Sequence, residues 1–376
     1  MIPFTRILNY ANIAPGLPSI KKILSYNTRG LILLENGDLY AHGVDNDYLW
    51  GGSTALNITG DIVLSAQDVV NFWTGYVTFA HKTDGKMYAT GSLYCFHNAN
   101  TIQQGFTDVS QYFSAFDISN IKNIIAGYTV FVLLNDGKLY GRGYNRNGSI
   151  GNGTKTFVSD WVLMSENVKS VFGDAGGDTC FIVKNDNTIW GAGNNNSLQI
   201  NDQPGDKVTF TEVLKDISFT PNTIYYNNGI IVISTDNIIH VTGTSNTGVS
   251  GLSQKSINVG FNIGDMSKFY NDNISPSPSR LYLHNSDTNK LVSTGYSPIN
   301  SQSSNNLPYF ESWKEVDFSS YNTNMSYSGG TYINYFWSGN KIWMSGYPPS
   351  SMAGKNYSIC QTPLSYIISE QTDLPF

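Results

Sequence analysis

Charge is the first thing this chain lacks. Asp, Glu, Lys and Arg make up only 13% of its 376 residues, with a net charge of −6, against a share of about 25% in ordinary soluble domains. No basic stripe runs through it, so a nucleic acid is not an expected partner. Cysteine is scarce too: Cys95, Cys180 and Cys360 lie far apart, odd in number and without a C-x-x-C spacing. That excludes a disulfide framework or a zinc signature and leaves small core filler as their role. No apolar run approaches the eighteen residues that span a bilayer, so membrane insertion is not expected. The opening stretch, MIPFTRILNYANIAPGLPSIKK, lacks a charged segment followed by a long apolar one, so no signal peptide is expected and synthesis is expected in the cytoplasm. Helical periodicity is nearly missing. So are the G-x-S-x-G elbow, the P-loop, H-E-x-x-H and any Cys–His pairing, which leaves no catalytic residue, metal or cofactor to nominate.

Asn, Ser, Thr, Gly and 24 Tyr fill the space that charge leaves. This is the palette of binding loops, although long turns in an all-β protein draw on the same residues. The strongest signal is a repeat. A short apolar strand, a tight turn and a second strand end in glycine seven times, at Gly43, Gly91, Gly143, Gly193, Gly243, Gly295 and Gly346, spaced by 48, 52, 50, 50, 52 and 51 residues. Six positions before each stands Gly37, Gly85, Gly137, Asn187, Asn237, Asn289 or Asn340, the residue types that best tolerate the positive φ of a hairpin turn. Four before is always apolar: Leu39, Met87, Leu139, Ile189, Ile239, Leu291, Ile342. The turn acids Asp84, Asp136, Asp186 and Asp236 are explained by turn chemistry alone.

Further β-like runs precede most hairpins: Ile20–Leu24, Val69–Trp73, Ile121–Ala126 and Val168–Phe172. Each unit therefore offers three or four short strands, and such units repeated around a channel make a β-propeller. The expected fold is all-β, a single seven-bladed propeller over residues 1–376, its ring closed by N- and C-terminal strands. The stretches 258–279 and 301–330 read as surface loops. The second unit departs from the rest, with Ser92-Leu93-Tyr94-Cys95-Phe96-His97 where a glycine loop would follow.

The third unit carries a family resemblance. Ile125-Ala126-Gly127, then Leu133 to Gly143 with Asp136-Gly137, then Asn145, Gly148, Ile150 and Gly151 resemble a regulator-of-chromosome-condensation repeat. Its Asn-x-x-Gly loop returns at 43–51 and 243–251 and partly at 193–200, and fades in units two, six and seven. The resemblance implies a seven-bladed propeller, in agreement with the count of glycines. Activity it does not imply: the family includes a nucleotide-exchange factor, chromatin binders, a plant ultraviolet receptor, ubiquitin-ligase modules and an inhibitor of β-lactamase.

The repeat also nominates a binding face. Residues one past each closing glycine (Val44, Ser92, Tyr144, Asn194, Thr244, Tyr296 and Tyr347) should stand at equivalent places on one side of the ring. Tyr144, Asn194, Tyr296 and Tyr347 are the candidate ligand-binding members, extended by Tyr48, Trp50, Tyr94, His97 and Arg146, because tyrosine pairs a flat apolar face with a hydroxyl. His42, His81, His240 and His284 read as structural. The expectation is a non-enzymatic binding module: a receptor-binding protein of a phage tail or tailocin, associated with that particle and its other proteins, recognising a cell-surface glycan or surface protein. The alternative is a protein-binding inhibitor or regulator, and a carbohydrate-active enzyme stands third.

Overall fold

A computed structural model describes residues 18–215 apart from 27–28, 46–47, 50, 52–55, 100 and 174–175, and beyond them 221–226, 230–234, 238–243, 259–262, 280–285, 290–296, 309–316, 326–329, 333–338, 341–346 and 369–371. Its strands form consecutive antiparallel meanders. The first holds β1 (Ile20–Tyr26), β2 (Arg29–Leu34), β3 (Leu39–Asp45) and β4 (Leu56–Ala66); the second β5 (Val69–Thr74), β6 (Val77–Lys82), β7 (Met87–Ser92) and β8 (Ile102–Asp108). The third holds β9 (Ile121–Ala126), β10 (Thr129–Leu134), β11 (Leu139–Gly143) and β12 (Val158–Ser165); the fourth β13 (Val168–Gly173), β14 (Thr179–Lys184), β15 (Ile189–Gly193) and β16 (Lys207–Val213). Three further sheets follow: β17 (Pro221–Tyr226) to β20 (Val259–Asn262) through β18 (Ile230–Ser234) and β19 (Ile238–Val241); β21 (Arg280–Asn285), β22 (Lys290–Tyr296) and β23 (Tyr309–Val316); and β24 (Ser326–Gly329), β25 (Ile333–Ser338), β26 (Lys341–Gly346) and β27 (Ser369–Gln371). This is an all-β propeller, and the first four sheets are four of its blades.

The expected first strands fall within β1, β5, β9 and β13. The two stretches expected as loops contain strands instead: β20 in the first, β23 and β24 in the second. The sequence YFESWKEV of β23 places its apolar residues at the first, second, fifth and eighth positions, without the period-2 alternation that marks a strand.

Hairpin geometry follows the turn residues. Gly37, Gly85, Gly137 and Asn187 take φ of 89°, 79°, 83° and 67°. The Asp136 carboxylate accepts the Lys138 N–H at 3.0 Å, Asp84 that of Lys86 at 3.0 Å, and Asp186 that of Thr188 at 2.9 Å. All three carboxyls are held below their ordinary range, Asp136 chiefly by this backbone bond, Asp84 chiefly by the Tyr88 hydroxyl and Asp186 chiefly by the Thr188 hydroxyl, with the backbone bond second in each of the last two. Asp236 lies outside the described residues.

The core is columnar. Leu31, Phe79, Phe131 and Phe181, each twelve residues before a closing glycine, are fully buried. Every residue of β2 and of β10 is buried, because neighbouring sheets cover both faces, and Leu31–Leu34 and Val130–Leu134 are continuously apolar rather than alternating. Cys95 and Cys180 are buried in this core, as filler; burial pushes the Cys95 thiol up to about 12.

Candidate functional site: a tyrosine-lined loop face

One end of the described blades gathers the turn between first and second strands and the loop between third and fourth. A single hydrogen bond ties them together in three consecutive blades. Ser92 N–H donates to Tyr76 O at 2.9 Å, Tyr144 N–H to Tyr128 O at 3.0 Å, and Asn194 N–H to Asp178 O at 2.8 Å. The residues after the closing glycines are thus equivalent in backbone geometry. The glycine is required: Gly143 has φ +105°, and a Cβ there would press on the Tyr128 carbonyl that accepts the bond.

On this frame the side chains build an aromatic array. Tyr76 stacks on Tyr128 with ring centres 4.3 Å apart and planes 12° from parallel. Tyr26 meets Tyr76 edge-on at 5.5 Å. Tyr94 approaches Tyr128 at 5.4 Å, Tyr144 at 5.5 Å and Phe157 at 6.2 Å. The Tyr76 N–H also donates to Ala126 O at 3.1 Å, which fixes the second blade's turn against the third blade. All six rings are half-buried, so each keeps part of its surface in water. Burial, reinforced by a hydrogen bond with Tyr76, pushes the Tyr26 hydroxyl far above its ordinary value.

A polar edge adjoins the array. The Arg146 guanidinium lies 5.4 Å from the Tyr144 ring centre and 3.8 Å from Asp178 Oδ1. Asn147 Nδ2 donates to the same carboxylate at 2.8 Å. Burial raises the Asp178 carboxyl above its ordinary range and Asp206 adds to this, while Arg146 and the Asn147 bond oppose it. Among the described residues no cluster of three or more His, Cys, Asp or Glu could hold a metal ion.

The nominated residues divide. Tyr94, Tyr144 and Arg146 come together in the array. Asn194 shares the backbone position, but its Oδ1 accepts the Asn196 N–H at 2.8 Å within its own loop. Tyr48 takes φ 59° and lends its carbonyl to Thr90 Oγ1 at 2.5 Å, a bridge between first and second blades. His97 is exposed and lies instead against Tyr112, with ring centres 5.6 Å apart. Trp50 and Tyr347 lie outside the described residues, as does the side chain of Tyr296 at the end of β22. Four members went unnominated: Tyr26, Tyr76, Tyr128 and Phe157. Tyr76 and Tyr128 each precede a closing glycine by fifteen residues, a repeat position in the turn between first and second strands.

No family model and no curated protein sequence matches the chain. Solved structures do. Prp20p from Saccharomyces cerevisiae, whose structure was described with its binding to Gsp1p and histones, superposes with a TM-score of 0.66 at 14% identity, over 89% of this chain and 84% of that one. The chain is a propeller that resembles RCC1 in fold. A structure of Kap60 bound to yeast RCC1 (Prp20) gives 0.53 at 13%, over 93% and 74%, and human WBSCR16 gives 0.51 at 12%, over 90% and 79%. At such identities the likeness is one of architecture. No helix among the described residues is long and apolar enough to cross a membrane.

Proposed function

We propose that this chain is a non-enzymatic binding module, one closed seven-bladed ring that presents its tyrosine-lined face to a protein or glycan. The observation that carries this reading is the contiguous array Tyr26–Tyr76–Tyr128–Tyr94–Tyr144 with Arg146 and Asp178 at its edge. Half-buried tyrosines give rigid contact area at low entropic cost, and the flanking charges and amides give orientation. Seven sheets support the blade count. Closure between first and last is supported by the Ser25 N–H donating to Ser328 Oγ at 3.0 Å, across β1 and β24. The finer reading is a receptor-binding protein of a phage tail or tailocin that recognises a bacterial surface; the low charge and the Asn/Ser/Tyr-rich loops support it. A protein partner, as Prp20p has in Gsp1p and histones, suits the same face.

Fluorescently labelled full-length chain should adsorb saturably to intact cells or wall fractions of its host. Tyr128→Ala and Tyr144→Ala should each weaken adsorption about tenfold, the loss expected of a central aromatic anchor. Saturable capture of one soluble protein with no cell adsorption selects the inhibitor or regulator reading. Binding indifferent to both tyrosine variants sinks the face assignment.

A further inference from the structure

The position before each closing glycine is occupied by His42, Thr90, Arg142, Ala192, Thr242, Thr294 and Ser345, so the third blade alone carries a long cation there. The ladder between β11 and β12 breaks at this point: Gly141 pairs with Val162 and Gly143 with Val158. The extra residues lie on β12, where Ser159, Asp160 and Trp161 face Arg142 alone, and the same break precedes the closing glycine in other blades. Arg142 lies at the junction between second and third blades, against the short helix α1 (Tyr94–His97) that replaces the second blade's glycine loop. The guanidinium carbon lies 4.8 Å from the ring centre of Phe96, 5.4 Å from Trp161 and 5.6 Å from Tyr112.

Rings satisfy the charge of a guanidinium but not its N–H groups. Arg142 is 6% exposed, and its buried Nε has no hydrogen-bond partner among the described residues. No ion pair to it forms among them either; Asp160 acts on it only at a distance, and the neighbouring Cys95 thiol, held protonated by burial, supplies no counter-charge. A buried cation with an unpaired donor costs free energy that an incoming acceptor would recover.

We propose that Arg142 is an anion receptor, and that the slot walled by Phe96, Tyr112 and Trp161 and rimmed by His97 takes a carboxylate. A carboxylate is planar, as an aromatic-walled slot demands, and meets a guanidinium through two parallel N–H···O bonds. Its single charge also suits a chain of net charge −6 better than a phosphate dianion. His97 marks the entrance: it is exposed, and its Nε2 lies 3.4 Å from the Tyr112 hydroxyl. The site is separate from the tyrosine array and does not depend on what that array binds.

The test is thermal unfolding of the full chain, followed by circular dichroism and by tryptophan fluorescence, in sodium acetate, sodium phosphate or sodium chloride at matched ionic strength and pH 7. Acetate should raise the wild-type Tm progressively with concentration, by roughly 2–4 °C more than it raises that of Arg142→Met, whereas phosphate, whose general stabilising effect both chains share, should raise the two equally. Arg142→Met should fold with a Tm in chloride close to the wild type's, because loss of the ring contacts offsets removal of the buried charge. Arg142→Lys, the milder change, should keep less than half of that excess because it lacks the fork; if Arg142→Met fails to fold, this variant decides. Equal wild-type behaviour in acetate and chloride overturns the proposal, as does an acetate response as large in Arg142→Met as in the wild type or undiminished in Arg142→Lys. A phosphate response larger in the wild type than in Arg142→Met overturns the carboxylate assignment.

Discussion

Two cations packed on aromatic rings, Lys22 half-buried and Arg142 buried, stand at successive blade junctions, and the protein treats them differently. Lys22, between first and second blades, lies 5.2 Å from the Phe72 ring centre and 5.4 Å from that of Trp73, and its Nζ also donates to Phe72 O at 2.7 Å and Asn71 Oδ1 at 2.9 Å. Arg142, one junction on, has three ring faces and leaves its Nε unpaired. The difference lies in the neighbouring strand. A register shift between Val69 and Asn71 in β5 accompanies the two acceptors that Lys22 meets, whereas the second blade offers Arg142 a helix whose buried members are Cys95 and Phe96. Aromatic faces alone can hold a buried cation in place, but they do not complete its hydrogen bonding. Where a repeat is regular its polar groups are satisfied within the fold; where it departs, one is left for something else to meet.

The sharpest way to break this contrast is at Gly143, which anchors Arg142 from the next position. Gly143→Ala must accept φ +105° and a Cβ against the Tyr128 carbonyl, both backbone constraints that no side-chain rotation relieves. It should lose about 3 kcal/mol or more in urea unfolding. Gly85→Ala, at φ +79° with open space around its Cβ, should lose about 1 kcal/mol. Equal losses would mean that the turn bond does not hold the third blade's end.

Next in size is Asn145→Ala. This buried amide accepts the Ile150 N–H at 3.0 Å and donates to Thr154 O at 2.9 Å. Asn195 does the same in the fourth blade with Ile200 N–H at 2.7 Å and Gln203 O at 2.7 Å. Either substitution strands a buried donor and should cost roughly 2–3 kcal/mol by denaturant midpoint. The irregular second-blade loop has no such asparagine, so Ser92→Ala, whose hydroxyl is buried without a partner, should leave stability unchanged or improve it.

These loops also show how far the sequence could be read. Gly143, Asn145 and Gly137 announce their positions because each type answers a backbone demand: positive φ, a loop lock, a hairpin. Blade order and the odd second loop followed from them. The array was half visible, since Tyr144 and Tyr94 follow closing glycines while Tyr76 and Tyr128 reach the same face from the preceding turn. Arg142 was invisible. Its meaning depends on Phe96, Tyr112 and Trp161, which converge from three separate elements. Leu198, at φ 57° where the third blade has Gly148 at φ 81°, shows that the backbone demand persists even when the residue that would announce it is replaced.

A pH series separates the two cations. Burial, with Lys21 alongside, lowers Lys22 from its usual 10.5 to about 7. The unfolded chain keeps that proton up to about 10.5, so between pH 7 and 10 the unfolded state binds more protons and stability rises with pH. As pH falls back through 7 the gain disappears, and below 7 both states hold the proton. Lys22→Met should remove a slope on the order of 1–2 kcal/mol across that window, after allowance for partial solvent access. Arg142→Met should leave the slope unaltered, since a guanidinium stays charged throughout it. Tyr26 opposes the trend only above about pH 10, the ordinary pKa of a tyrosine hydroxyl.

The smallest effect tests the walls of the Arg142 slot. Trp161 Nε1 donates to Tyr112 O at 2.6 Å, and its ring packs 5.0 Å from Phe116 and 5.7 Å from Phe113. Trp161→Phe keeps an aromatic face toward Arg142 and removes the indole N–H, so it should cost about 1 kcal/mol, the net worth of one partly buried hydrogen bond. Trp190 is the control. Its Nε1 donates to the Thr188 hydroxyl at 2.8 Å within one hairpin, and Trp190→Phe should cost less, because Thr188 also donates to Asp186 at 2.7 Å and keeps that partner. If Trp161→Phe is the more tolerated of the two, Tyr112 is held by stacking on Phe96 at 4.3 Å rather than by the indole. The slot would then be bounded from the second blade alone, and every fixed ring on Arg142 would lie across its junction, as the partners of Lys22 do.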